Sequence, residues 1–266
     1  MRVLRRTSSL PPAPPVLQAL DEPALCHGFL GREGGSSRGP YASLNLSYWA
    51  GDNTRAVDVN WLRARRLMPR GARFAQLKQV HGKAVHTVGP RLDGDPRPEG
   101  DGLVTAMTGI VLCIFSADCV PVLLADKERG VIGALHAGWR GALAGIGGAG
   151  VRAMVRQGAR ASGIQALLGP SIGPCCYEVD EELSRRFIRR FARAHTHVQP
   201  GGRPGKAYLD LRAIVADQLA AAGLERDAIR SVGPCTYCAA DHYFSRRAAG
   251  GAVTGLQLSF IGHFTA

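Results

Sequence analysis

Three residues of this 266-residue chain have side chains of the types that a catalytic metal centre uses: His81, Cys119 and His136. Zinc accepts imidazole nitrogen and thiolate sulfur, and catalytic zinc sites keep three protein ligands and leave a fourth position for water or substrate. Two histidines and one cysteine meet that count. Copper takes the same donors, so zinc is the expected ion and copper its rival. The three are separated by 38 and 17 positions, which leaves the fold to bring them together. Each also has a duller explanation, since cysteine is among the most buried residue types and most strand-end histidines are satisfied polar groups. Asp118, beside Cys119, is placed to orient a ligand by accepting a hydrogen bond.

Other reactive residues suggest rival chemistry. Pro234-Cys235-Thr236-Tyr237-Cys238 is half of the zinc deaminase signature, but none of the eight histidines begins a His-x-Glu, which excludes that fold. Cys235 and Cys238 would need Cys175 and Cys176 to complete a structural zinc site. The adjacent pair has the wrong spacing for a zinc knuckle, so no second site is expected. Gly169-Pro170-Ser171-Ile172-Gly173 matches a nucleophile-elbow string, yet Pro174 follows where a helix should begin, and a turn is expected instead. Multicopper oxidases use several His-x-His pairs, whereas this chain has only His195-Thr196-His197. At Gly138-Trp139-Arg140-Gly141 a predicted helix start and the fork of Arg140 would favour an anion such as phosphate.

These residues need a scaffold, and the composition allows one. Hydrophobic residues at 45% and charged residues at 20% are ordinary globular usage. The net charge of +12 favours anionic partners. The arginines are scattered, however, with Arg65 and Arg66 and the set from Arg185 to Arg190 reading as helix faces, so no nucleic acid is expected. No apolar stretch reaches membrane-spanning length, and no apolar leader follows the basic start. A cytoplasmic enzyme with seven reduced cysteines is expected, as a monomer or weak homo-oligomer.

Pro11, Pro12, Pro14 and Pro15 suggest a flexible tail over 1–22, with a single domain at 23–266. Caps Asn53 and Thr54 predict a helix over 55–67. Short apolar runs predict strands at 76–80, 110–117, 120–125, 131–135 and 164–168. Helices are expected over 142–157, 180–194 and 210–222, and a last strand pair at 229–232 and 255–261. Strands outnumber what a regular alternation requires, so the expected class is α+β: mixed sheets flanked by helices, with the active site at strand ends.

The strings Gln79-Val80-His81-Gly82, Ala117-Asp118-Cys119-Val120-Pro121 and His136-Ala137-Gly138-Trp139-Arg140-Gly141 resemble the signatures of the laccase-domain, or polyphenol-oxidase-like, family. Further matches run in order from His27-Gly28-Phe29 through Gly39 to Leu46, Asp101 to Thr105 and Gly169 to Val179, to Cys235-Thr236 and Phe244-Ser245. The family is one of zinc-dependent purine nucleoside phosphorylases and includes a bacterial peptidoglycan editing factor. The resemblance implies that His81, Cys119 and His136 bind zinc. It implies phosphorolysis of adenosine, inosine, guanosine and S-methyl-5′-thioadenosine, with adenosine deamination besides. Ser43, Asn45, Tyr177 and Arg247 fall within matching motifs and become candidate pocket residues beside Arg140. The usual Phe-Ser-aromatic-Arg-Arg is here Phe244-Ser245-Arg246-Arg247. Three alternatives stay open: a cysteine hydrolase of peptidoglycan precursors with Cys119 as nucleophile, a copper-dependent polyphenol oxidase, and a non-enzymatic basic zinc protein.

Overall fold

The computed structural model describes residues 14–20, 22–90 and 97–264. Its first half contains β1 (Val16–Leu17), β2 (Leu25–Leu30), α1 (Thr54–Ala64), β3 (Arg73–Ala75), β4 (Val85–Thr87), β5 (Gly102–Thr105), β6 (Ile110–Ser116), β7 (Val120–Asp126) and β8 (Val131–Ala137). The second half contains α2 (Trp139–Ala144), α3 (Ile146–Arg156), β9 (Gln165–Leu168), β10 (Glu178–Asp180), α4 (Glu181–Arg190), β11 (Val198–Pro200), β12 (Lys206–Leu209), α5 (Leu211–Ala221), β13 (Ile229–Ser231) and β14 (Gln257–His263). The fold is α+β in a single domain, as expected.

Two mixed sheets lie face to face. One runs β1-β2-β14-β6-β3 and the other β13-β9-β7-β8-β5-β4, while β10-β12-β11 form a small antiparallel sheet. Successive strand side chains point to opposite faces, so a strand covered on both sides is apolar at every position. In β6, Ile110, Leu112 and Ile114 enter the core between the sheets, while Val111, Cys113 and Phe115 pack with Trp61 of α1. In β7, Leu123 and Ala125 face that shared core, and Val120, Val122 and Leu124 face the layer that contains α3 and α5. Helix, sheet, sheet and helix thus stack in four layers. This explains why the runs at 110–117, 120–125 and 131–135 show no alternation.

Several expected elements change. The helix expected over 142–157 is two helices, because Gly145 takes a left-handed φ of 88° and ends α2 before α3 begins. The strand expected at 76–80 is displaced to β3. Gln79 explains the loss, since its side-chain amide donates to Phe115 O and accepts from Phe115 N, both at 2.8 Å, in place of a backbone ladder. The expected last strand pair does not pair: β13 lies parallel to β9, whereas β14 runs between β2 and β6.

The tail expected over 1–22 contains β1, paired through Val16 with Leu30 and Leu17 with Phe29. Proline forbids helix there but tolerates an edge strand. The ring of His27 completes the attachment, its Nε2 accepting from the amides of Ala19 and Leu20. Residues 1–13 and Asp21 of that span lie outside the described residues.

Candidate metal centre

The three ligand-type residues of the sequence come together. His81 occupies a turn after the extended segment that follows β3, Cys119 sits in the turn between β6 and β7, and His136 lies on β8 opposite Pro121 of β7. Their metal-binding atoms all lie within 4.8 Å of one another. His81 is exposed, Cys119 half-buried and His136 buried, so the group faces solvent from one side only. Two tight turns make this possible. His81 has φ 60° and Asp118 has φ 91°, the only positive values among non-glycine residues of the described chain. Such left-handed backbone is strained and persists where its surroundings hold it.

Asp101 is what holds His81. Its buried carboxylate accepts from the amides of His81 at 2.9 Å and Gly82 at 2.6 Å, and its Oδ1 lies 2.8 Å from His136 Nδ1. An ionised carboxylate only accepts, so Nδ1 carries the proton and Nε2 is left for a metal. One residue therefore orients two ligands, the role expected of Asp118. Asp118 is engaged elsewhere, accepting from Thr236 Oγ1 at 2.6 Å and from the amide of Arg247 at 2.7 Å.

Glycine supplies the remaining room. A Cβ on Gly138 would stand 2.8 Å from His81 Cδ2 and 3.1 Å from Cys119 Sγ, and one on Gly141 would stand 2.5 Å from the carbonyl oxygen of Gly82. Helix α2 can approach the ligands only because both positions lack a side chain.

The electrostatics suit a thiolate ligand. Burial alone would raise the Cys119 thiol, but the His136 charge and hydrogen bonds from both histidines outweigh it and bring the thiol down to about 6. Burial alone would lower His136, yet the Cys119 thiolate and Asp101 raise it to about 9. Before any metal binds, the pair is thus a thiolate beside an imidazolium. Two imidazoles and a thiolate, one imidazole already oriented by a carboxylate, are a donor set that fits zinc.

The ligand group opens into a cavity of about 640 Å³ lined by Trp49, Phe115, Leu77, Leu256, Ser116 and Gln79, with Lys78, Arg97 and Arg246 as its cations. Trp49 is 58% exposed and meets Phe115 edge to face at 6.3 Å. The Arg97 guanidinium stacks on Trp49 at 4.3 Å. Buried Ser116 Oγ and Arg97 Nη1 have no hydrogen-bond partner, which leaves two polar atoms for a guest.

The other predicted site residues fare unevenly. Ser43 and Asn45 do not line this cavity. The Ser43 hydroxyl donates to Arg32 O, and the Asn45 amide spans Ser47 O and Asp52, so both bind their own loop together. Arg140 is exposed and stacks on Trp139 at 4.3 Å, at the start of a helix only six residues long. Tyr177 lies close enough to Cys119 for the two charges to interact, and burial pushes its hydroxyl upward. Arg247 covers the Tyr177 ring and donates to the carbonyl of Glu178 at 3.0 Å, so of the arginine pair it is Arg246 that reaches the cavity. Ser171 is buried, with Arg212 Nε donating to its hydroxyl, and takes no nucleophile's place. Sequence reasoning missed Asp101, Trp49, Phe115, Ser116 and Arg97. Asp101 opened a matching string, which was its one available signal.

A family-wide sequence profile described as multi-copper polyphenol oxidoreductase laccase matches residues 26–263. A purine nucleoside phosphorylase of Deinococcus radiodurans is 42% identical over 94% of each chain. A protein named adenosine deaminase RL5, from an unknown prokaryotic organism, is 36% identical over 80% of this chain and 84% of its own length. The crystal structure of YlmD from Geobacillus stearothermophilus superposes with a TM-score of 0.86 at 32% identity, covering 95% of this chain and all of that one.

Proposed function

Because the chain belongs to the multi-copper polyphenol oxidoreductase laccase family, and relatives within reach carry names from purine chemistry, we propose that it is a zinc-dependent purine nucleoside phosphorylase that also deaminates adenosine. Its substrates are adenosine, inosine, guanosine and S-methyl-5′-thioadenosine, with phosphate as co-substrate, and residues 23–266 form the catalytic unit. One observation carries the reading: the ligand trio opens into a cavity with an aromatic wall and the guanidinium groups of Arg97 and Arg246. Its volume is within the range of small-molecule sites.

His81, Cys119 and His136 would hold the zinc. When bound, it supplies a Lewis acid that polarises an oxygen or acidifies water near neutral pH. Blue-copper sites add a weak axial ligand, usually methionine, to such a trio. No methionine lines the cavity among the described residues, and the amide of Gln79, the other usual axial donor there, is held at both ends by the Phe115 backbone, so zinc is the better reading. The group has three members among the described residues, where a purely structural zinc is closed by four.

In phosphorolysis a phosphate oxygen bonds to ribose C1′ while the C1′–N9 bond breaks, its electron pair leaving with the purine. Trp49 and Phe115 offer aromatic surface to the flat base, and Leu77 and Leu256 exclude water around it. Arg97 and Arg246 neutralise the phosphate, whereas Lys78 at the rim is already paired with Glu99 at 2.8 Å. Ser116 Oγ, which has no protein partner, is free to orient a nucleoside hydroxyl. Tyr177 and Arg247 stay in this reading as supports of the wall beside Cys119, and Arg140, exposed at the start of α2, stays as a candidate phosphate contact.

The test is incubation of the metal-analysed protein with inosine or adenosine, with and without phosphate. Base release that depends on phosphate and inosine formed from adenosine are the expected products. Inactivity on every nucleoside sinks the reading. A second reading rests on the Cys119 thiolate beside His136, an arrangement that also activates a nucleophile. A cysteine hydrolase acting on peptidoglycan precursors would lose activity on Cys119 alkylation even with zinc present. The zinc enzyme is protected by it.

A further inference from the structure

The two turns whose cysteines have unsuitable spacing in sequence meet in space. Cys175 and Cys176 follow the turn at Gly173, where the amides of Cys176 and Tyr177 both donate to Gly173 O. Cys235 and Cys238 occupy a second turn, closed by the Ala239 amide on Cys235 O. The turns are joined by the Thr236 amide donating to Ser171 O at 3.1 Å and the Gly173 amide donating to Cys235 Sγ at 3.2 Å. All four sulfurs lie within 4.8 Å of one another. We propose that Cys175, Cys176, Cys235 and Cys238 form a second, tetrathiolate zinc site that clamps these two turns together.

Three observations converge on it. First, Cys238 Sγ stands 3.6 Å from Cys175 Sγ and 3.3 Å from Cys176 Sγ. The edge of a tetrahedron with zinc–sulfur bonds of about 2.3 Å is about 3.8 Å. A disulfide needs about 2.05 Å and joins only two sulfurs, whereas here one sulfur approaches two others. Second, Cys235 Sγ accepts from the backbone amide of Gly173 at 3.2 Å, and the nearby amides of Cys238 and Tyr237 act on the thiol in the same sense. In a Cys-x-x-Cys turn, amides aimed at the first sulfur stabilise it as a thiolate, the form that binds metal. Third, four thiolates and a divalent ion leave a net negative charge, and a cation is already placed beside it. Half-buried Arg212 donates to Ser171 O and Pro234 O, and its charge acts on Cys235 and Cys175. Adjacent cysteines fail the usual spacing rule only if both must lie on one loop of a knuckle. Here each is one arm of a turn facing a separate Cys-x-x-Cys.

The clamp has a direct route to the first centre. Thr236, inside the second turn, donates to Asp118, whose neighbour is Cys119. Tyr177 follows Cys176 and stands near Cys119. Closing the four-sulfur site fixes both walls behind Cys119 while leaving the cavity free, since none of the four cysteines lines it. The proposal is independent of the phosphorylase reading.

Metal analysis of the intact chain is expected to give two zinc per molecule. Cys119→Ser removes one, and the double variant Cys235→Ser, Cys238→Ser removes the other while His81, Cys119 and His136 keep theirs. Cobalt loaded into Cys119→Ser should show the strong sulfur-to-metal charge transfer of four thiolates. If the double variant does not fold, alkylation of the wild-type protein decides. With zinc, Cys175, Cys176, Cys235 and Cys238 resist iodoacetamide and mass spectrometry finds them modified only after chelation. A single zinc that disappears with Cys119→Ser, alkylation of the four in zinc-loaded protein, or a disulfide among them overturns the proposal.

Discussion

At the scale of single residues, metal binding by the candidate centre is a problem of protons. Cys119, down from 9.0 to about 6, and His136, up from 6.5 to about 9, must both be deprotonated to bind a metal. Below about 6 the ion displaces a proton from each. Between about 6 and about 9 it displaces only the one on His136, and above that neither. From these two groups, log affinity for zinc is expected to rise with slope two, then one, then zero as pH increases, read by competition with a coloured chelator. An affinity that does not change between those two pH values removes the ion pair from the account. The trio was legible in the sequence because each member stands in a string of recognisable type. Asp101 was not, since an Asp-Gly before an apolar run reads as a turn and only the fold shows which amides it meets. Ser43 and Asn45 failed for the opposite reason: a polar residue in a matching string can serve its own loop, and sequence does not separate the two uses.

At the scale of elements, the centre depends on how closely α2 approaches the turn that carries His81. Alanine is a better helix former than glycine by about 1 kcal/mol, so Gly141→Ala ought to stabilise a free helix. Its Cβ would instead meet the Gly82 carbonyl at 2.5 Å, and overpacking of this kind costs roughly 1–3 kcal/mol. The expected outcome is a lower melting temperature and a fall in zinc affinity of about tenfold, the lower end for a displaced ligand support. A variant with unchanged zinc affinity would falsify the close approach. The elements themselves were legible where periodicity governs, in the fully buried strands and in α5 behind its Asp210 cap. Element boundaries failed where a side chain or a glycine replaces the backbone pattern, as at Gln79 and Gly145. The meeting of the cysteine turns was illegible because it depends on strand order, and the parallel pairing of β13 with β9 sets that order.

At the scale of the whole molecule, two sheets share one core and the edge of the outer sheet is covered by β1. Leu17, Ala19 and Leu20 pack against that core, and Arg230 donates to Ala19 O across the sheets at 2.6 Å. Removing residues 1–20 would free the His27 ring and expose the edge of β2. With about 1 kcal/mol for each of the four hydrogen bonds lost at Gln18 Nε2, Ala19 N, Leu20 N and Ala19 O, before the β1–β2 ladder is added, calorimetry should show a melting temperature lower by roughly 8–16 °C or more. Zinc content should not change, because no ligand lies in that segment. An unchanged melting temperature would show that the strap contributes nothing. The fold class was visible from the surplus of strands, while the strap was hidden by prolines that read as disorder. The position of β14 has a consequence for synthesis. Strands β4, β5, β7, β8, β9 and β13 span 85–231 and can form their sheet as soon as that stretch leaves the ribosome. The other sheet has an incomplete middle until 257–263 emerges, because β14 alone joins β2 to β6. A nascent chain can therefore collect His81, Cys119 and His136 on a finished half while the β6 wall that carries Phe115 and Ser116 still lacks its neighbour. Metal capture can precede completion of the cavity, and the last strand to be made decides when substrate finds an enclosed site.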